Sequence, residues 1–307
     1  MGFGVAQKID KDYGISNLVS IITCGCLCNW IVNDLKLGIY LFPICKMIIE
    51  VINLLTNLWV FLFRIEKESL QCIAPKNIFT SDLKAFLWVG LKIMSALYAE
   101  FLGFEANTYL AAITQDQDQI SAFVSWVNIT GMIYAFGISY NSKTIGLGFG
   151  NVARTSVSNY VGGGKHVQAK HSSHFFIAMS AFLGVVLMIV LPLNAGSIAS
   201  VYSPLEPIKA WIRPVLYIYA VGALFEMING TQNTILRVGG KTSQVVGIVI
   251  STFLGLLVAV SLVCAFALDM GDCGLVLGFD AAVIVANAIF FFMIKRLDWS
   301  KVENSAN

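Results

Sequence analysis

The chain has 307 residues, of which 57% are hydrophobic and only 12% charged, with a net charge of +2. Soluble domains carry about 25% charged residues, and a chain of this length cannot hide so much apolar surface in a core of its own. Composition therefore excludes an ordinary soluble enzyme, a disulfide scaffold, a disordered chain and a nucleic-acid binder, and leaves a polytopic membrane protein of mean hydropathy +0.76. Residues 1–13 mix Lys8, Asp10, Lys11 and Asp12 and do not have the pattern of a signal peptide. Eight apolar stretches follow, at about 14–33, 37–63, 84–113, 119–150, 171–194, 209–236, 243–268 and 273–294. A helical crossing takes ~20 apolar residues, whereas membrane strands would be shorter and would alternate. The class expected is thus all-α, with about eight transmembrane helices.

In chain order, the first span holds Cys24, Cys26 and Cys28. Offsets of two point to different faces of a helix, so these read as small packing residues and not as a metal site. Lys46 and Glu50 in span two are spaced to neutralise each other on one face. The mixed-charge segment from Arg64 to Leu83 divides two front spans from six rear ones. Span three holds Lys92, expected to snorkel towards the near membrane face, and Glu100 and Glu105. Span four runs through Asn141, Ser142 and Lys143. A lysine in mid-bilayer is costly, so the helix either breaks there or is distorted by an insertion. The connector Thr155–Lys165 ends in Gly162-Gly163-Gly164, read as a tight turn that needs positive φ or close backbone approach. His166, His171 and His174 stand at the start of span five. With no carboxylate or cysteine beside them they read as headgroup contacts and not as metal ligands. Span six holds Arg213 near its outer end and Glu226 in its interior; span eight holds Asp280, about one and a half turns in, read as structural and reaching the outer interface.

The connecting segments fix an orientation. Arg64, Lys67, Lys76 and Lys84 lie between spans two and three, Arg154, Lys165 and Lys170 between four and five, Arg237 and Lys241 between six and seven, and Lys295, Arg296 and Lys301 after the last. The intervening connections, around Asp116 and Asp118, Asn194 to Pro207, and Asp269 and Asp272, have no Lys or Arg. That alternation follows the positive-inside rule, and it places both termini in the cytoplasm.

Glu100, Glu105 and Glu226 have no basic residue near them in their own spans. A lone carboxylate in an apolar span avoids the desolvation cost by taking up a proton, and it switches charge when wetted or when a cation arrives. That suits ion coupling, and it equally suits a protonated carboxyl bonded to a neighbouring helix. Glu100 and Glu105 are five residues apart, about 140° around a helix, so they face different neighbours.

Four segments resemble one family in order. Thr155-Ser156-Val157-Ser158-Asn159-Tyr160-Val161-Gly162-Gly163-Gly164-Lys165 is similar to the "RVSNELGAGN" stretch of the MATE (multidrug and toxic compound extrusion) transporters, eukaryotic branch. Ala99-Glu100-Phe101-Leu102-Gly103-Phe104-Glu105 resembles "LEWWSFE" of the family's seventh helix. Leu224-Phe225-Glu226 with Ile235-Leu236-Arg237-Val238-Gly239-Gly240-Lys241 resembles "FE…VLRGSGNQK" of the tenth, and Asp298-Trp299-Ser300-Lys301 resembles "TDWEK". The resemblance implies two six-helix lobes around a central cavity, with residues 84–307 forming a complete C-terminal lobe and tail. Residues 1–83 would be two helices of the other lobe, in a member lacking roughly helices one to four. It implies proton coupling and cation binding at Glu100, Glu105 and Glu226, with Asn128 near a polar position of the eighth helix. Three departures stand out: Ser156 where the family has Arg, about eight extra residues around 139–146, and the missing front helices.

The function this implies is a proton-coupled antiporter of organic cations or xenobiotics, in the plasma or vacuolar membrane. It would have no cofactor, no metal and no enzymatic chemistry. The partners are protons (favoured over sodium through the family branch), a small cationic substrate and the lipid bilayer, with no nucleic acid and no signal for oligomeric state. Aromatics near the acids, Tyr98, Phe101, Phe104, Tyr217, Tyr219 and Phe225, would offer cation–π contacts or simple packing. The rival readings are an inactive fragment or half-transporter that needs a partner, and a membrane enzyme or receptor.

Overall fold

A computed structural model of the chain describes residues 42–64, 81–113, 116–138 and 149–299, with Thr23, Cys26, Trp30 and Val302 as isolated positions. The described residues are almost all helical and include no strand, in keeping with the all-α class. They fall in two compact units, Met1–Ala85 and Phe86–Asn307.

The first unit contains α1, Phe42–Arg64, with Pro43 in its first turn, where the missing N–H costs nothing. Glu50 on it is exposed, and the Lys46 side chain expected to pair with it lies outside the described residues. So does the predicted span 14–33, apart from the three isolated positions.

Helix α2, Ser81–Ile113, leads into the second unit. There follow α3 (Gln117–Ile138), α4 (Phe149–Gly162), α5 (His166–Leu193), α6 (Ala195–Tyr202), α7 (Glu206–Val238), α8 (Thr242–Ala267) and α9 (Asp272–Lys295). Four of these, α5, α7, α8 and α9, are long and apolar enough to cross a membrane. Asp116 caps α3: its Oδ1 accepts from the backbone N–H of Asp118 at 2.9 Å and of Gln119 at 3.3 Å. Along α8 the winding loosens to π turns at Ser251–Leu256 and Val263–Ala267.

Of the predicted stretch 119–150, α3 covers the part to Ile138 and α4 begins at Phe149; residues 139–148, where the break or distortion around Lys143 is expected, lie outside the described residues. One expectation needs correcting. The connector from Thr155 is helical as far as Gly162, because its polar residues fall on the outer side of α4 while Ala153 and Val157 pack inward. The turn itself begins only at Gly163. Gly164 adopts φ +67°, its N–H bonds the Val161 carbonyl at 3.0 Å, and the Lys165 N–H bonds the Tyr160 carbonyl at 2.8 Å. The same device ends α7: Gly240 has φ +74°, with bonds to Arg237 at 3.1 Å and from Lys241 to Leu236 at 2.9 Å. These are paired glycine C-caps. Replacing Gly164 or Gly240 with Ala is expected to cost about 1–2 kcal/mol each, read as a lowered unfolding midpoint of the purified protein. An unchanged midpoint would show that the left-handed conformation is not required.

Helix α7 is the pillar of the second unit and packs against α9, α5, α3 and α4. In a bilayer, lipid tails compete for apolar contact, so close helix approach through small residues sets the packing. Gly184 of α5 lies against the Leu224 backbone of α7, and Gly103 of α2 against the Phe253 carbonyl of α8. Gly274 and Gly278 of α9 lie on the backbone of α8. Helix α2 buries a stripe of Ala96, Ala99, Gly103, Asn107 and Ala111, and Asn107 donates to the Leu275 carbonyl of α9 at 3.0 Å. At the centre, Trp126 of α3 meets Tyr219 and Phe279 edge-on at 5.7 Å and 5.5 Å, with Phe104 and Phe123 alongside.

Candidate functional site

Beside this aromatic cluster is a cavity of about 30 Å³, lined by residues that include Glu100, Glu226 and Asn229 with Phe104, Phe253 and Phe279. Such a space takes one or two waters. Glu100 reaches it because it borders the buried stripe of α2; Glu226 reaches it from α7, and is 8% exposed. The two carboxylates come from helices more than a hundred residues apart in sequence. A carboxylate pair facing one small space resists carrying two charges at once, unless a proton or a cation compensates.

Glu226 is held by Tyr219, whose hydroxyl donates to it. Both belong to α7, seven residues apart and therefore on the same face. Tyr219 is fully buried, with Thr130 of α3 beside its hydroxyl. Further along α7 comes a run of buried polar side chains, Asn229, Thr231, Gln232 and Asn233. Asn229 Nδ2, Gln232 Oε1 and Asn233 Oδ1 have no hydrogen-bond partner. Asn287 of α9 donates to the Phe225 carbonyl at 2.8 Å and so ties α9 to α7 one residue before Glu226.

The other candidate residues fall elsewhere. Glu105 is exposed on the far face of α2, as the five-residue spacing requires, and does not line the cavity. Asn128 is also exposed; its side chain donates to the Val124 carbonyl of its own helix at 3.0 Å. Tyr98, Phe101 and Tyr217 point outward, while Phe104 and Tyr219 pack in the core. Lys92 bonds Ser243 at 2.9 Å and lies over the Trp88 ring at 5.3 Å. His171 and His174 are exposed, and no group of three metal-ligating side chains occurs among the described residues.

Asp280 corrects another expectation. It does not reach the outer interface: it is 4% exposed and its carboxylate is pressed against Gly222 of α7. Counting ionisable residues alone also missed Tyr219 and the Asn229–Asn233 run. The available signal was polar and hydroxyl groups at three- and seven-residue offsets from Glu226, namely Asn229, Tyr219 and Asn233.

The family model MatE matches residues 96–263. Multidrug and toxin extrusion protein 1 of Danio rerio is 28% identical over 226 residues, covering 72% of this chain and 36% of that protein. The Homo sapiens protein of the same name is 24% identical over 237 residues, covering 76% and 38%. The crystal structure of the eukaryotic MATE transporter AtDTX14 superposes with a TM-score of 0.79 at 16% identity, over 95% of this chain and 63% of that one. The chain thus spans well under half the length of the curated relatives it matches. With more than half of its residues under the family model, and with the fold to match, the chain belongs to the MatE family of membrane transporters.

Proposed function

We propose that residues 84–307 act as one six-helix lobe of a proton-coupled antiporter for organic cations, with Glu100 and Glu226 as its exchange site. One observation carries this: the two acids line the same small cavity, and Glu226 is oriented there by Tyr219. A proton arriving at either acid removes the negative charge that would hold a cation nearby. Loss of that proton restores the charge. A change of lobe conformation between the two events converts this competition into exchange. Cargo chemistry follows from the carboxylates, which attract cations, and from the relatives, which are multidrug and toxin extrusion proteins. The membrane is the plasma or vacuolar membrane, with both termini cytoplasmic by the Lys and Arg alternation.

Placement separates Glu100 from Glu105. With the chain in proteoliposomes and a fluorescent organic cation as cargo, Glu100→Gln is expected to lower proton-driven uptake about tenfold or more, the equivalent of ~1.4 kcal/mol in the transport barrier. Glu105→Gln, outside the cavity, is expected to stay within about twofold of the unsubstituted protein. Equal losses at both positions would defeat the single-cavity site. Absence of transport by a folded, unsubstituted chain would favour a half-transporter that needs a partner.

A further inference from the structure

One buried carboxylate has no place in the exchange just described. Asp280 lies two turns inside α9, flanked in sequence by Phe279, which lines the cavity, but is not itself a lining residue. It is 4% exposed, and its Oδ1 abuts the Gly222 backbone without a well-aligned hydrogen bond. Gly222 falls between Tyr219 and Glu226 on the same face of α7, at offsets of three and four. The Asp280 carboxylate therefore sits alongside the Tyr219–Glu226 hydrogen bond, within electrostatic reach of both groups.

The helices around it offer no cation. On α7 the facing ionisable groups are Tyr219 and Glu226; Arg213 and Arg237 are about two and a half and four turns from Gly222. Helix α8 has no ionisable side chain apart from Cys264, and the acid of α3, Asp118, stands in its first turn. On α9 itself Asp272 and Lys295 mark the two ends. On α2, Glu100 lines the cavity, Glu105 is exposed on the far face and Lys92 is bonded to Ser243. A carboxylate in this setting meets only other acids and a phenol. Two neighbouring acids in a low-dielectric interior do not both ionise.

We propose that Asp280 is a second proton-binding site, paired with Glu226 so that the two carboxylates together carry no more than one negative charge. Glu226 faces the cavity and meets cargo. Asp280, behind the cavity wall and against the Gly222 backbone, is closed to anything larger than a proton or a water. The pair then titrates as a unit, in two linked steps that belong to neither residue alone. This rests on the exchange role given above to Glu226.

The test is infrared difference spectroscopy of the purified protein in lipid, stepped in pH, with ¹³C-carboxyl aspartate labelling to separate Asp from Glu bands. The unsubstituted protein is expected to show an Asp component and a Glu226 component, the latter identified by its loss in Glu226→Gln, that change together over two steps. Asp280→Asn should remove that Asp component and leave Glu226 to titrate in a single step. Asp280→Ala, smaller at the Gly222 contact, should do the same and serves if Asn does not fold. Tyr219→Phe should keep both signals. An Asp spectrum unchanged by Asp280→Asn, or a Glu226 transition unaltered by it, overturns the proposal while leaving Glu226 in place. A spectrum unaffected by Glu226→Gln would instead remove the exchange role on which the proposal rests.

Discussion

Replacing Glu226 with Gln is expected to abolish proton-driven cation uptake and leave the fold intact. Glutamine has nearly the same shape, and its amide oxygen can still accept the hydroxyl of Tyr219. What disappears is the capacity to change charge, so exchange should fall by at least about a hundredfold, or ~2.7 kcal/mol, while unfolding shifts little. Glu226→Ala provides the contrast. It strands the fully buried Tyr219 hydroxyl, at about 1–3 kcal/mol for an unsatisfied polar group, so it should lose stability as well as exchange. Uptake and thermal unfolding measured side by side distinguish the two. Normal proton-driven uptake by the Gln variant would remove Glu226 from the exchange site.

The second large effect is structural. A Val at Gly278 or Gly274 is expected to destabilise the second unit by about 1–3 kcal/mol each, and the double change to prevent folding. A Cβ at Gly278 would overlap Ser261 and approach the Leu257 carbonyl at 2.8 Å; at Gly274 it would overlap the backbone around Ala265. These atoms are backbone or tightly placed side chain, so α8 and α9 would have to separate. Gly90 and Gly247 have nothing within 4 Å of an added Cβ and are the controls. Ala at either control should be neutral or slightly stabilising. Equal behaviour of the two pairs would show that the α8–α9 contact does not hold the unit together.

The membrane class and the long helices were legible in the amino-acid pattern because a bilayer imposes length and hydropathy together. The spans read at 171–194, 209–236, 243–268 and 273–294 match α5, α7, α8 and α9 to within about five residues. Helix α4 was not legible. Its sequence is polar, and hydropathy looks for lipid contact and not for helicity. Within the site, Glu100 and Glu226 stood out as acids with no basic residue near them in their own spans, but their shared cavity depends on packing between distant helices. The burial of Asp280 was invisible for the same reason. Its surroundings are set by a glycine on another helix that leaves room for it, and sequence spacing along α9 alone suggested an exit to the interface. Tyr219 shows an intermediate case: the seven-residue offset to Glu226 was present in the sequence, but nothing local says which of several aromatics turns its hydroxyl inward.

The cavity between Glu100 and Glu226 measures about 30 Å³, room for one or two waters. Water held there would link the two acids, so that in an exchanger built on them a proton taken up by either one could be handed to the other.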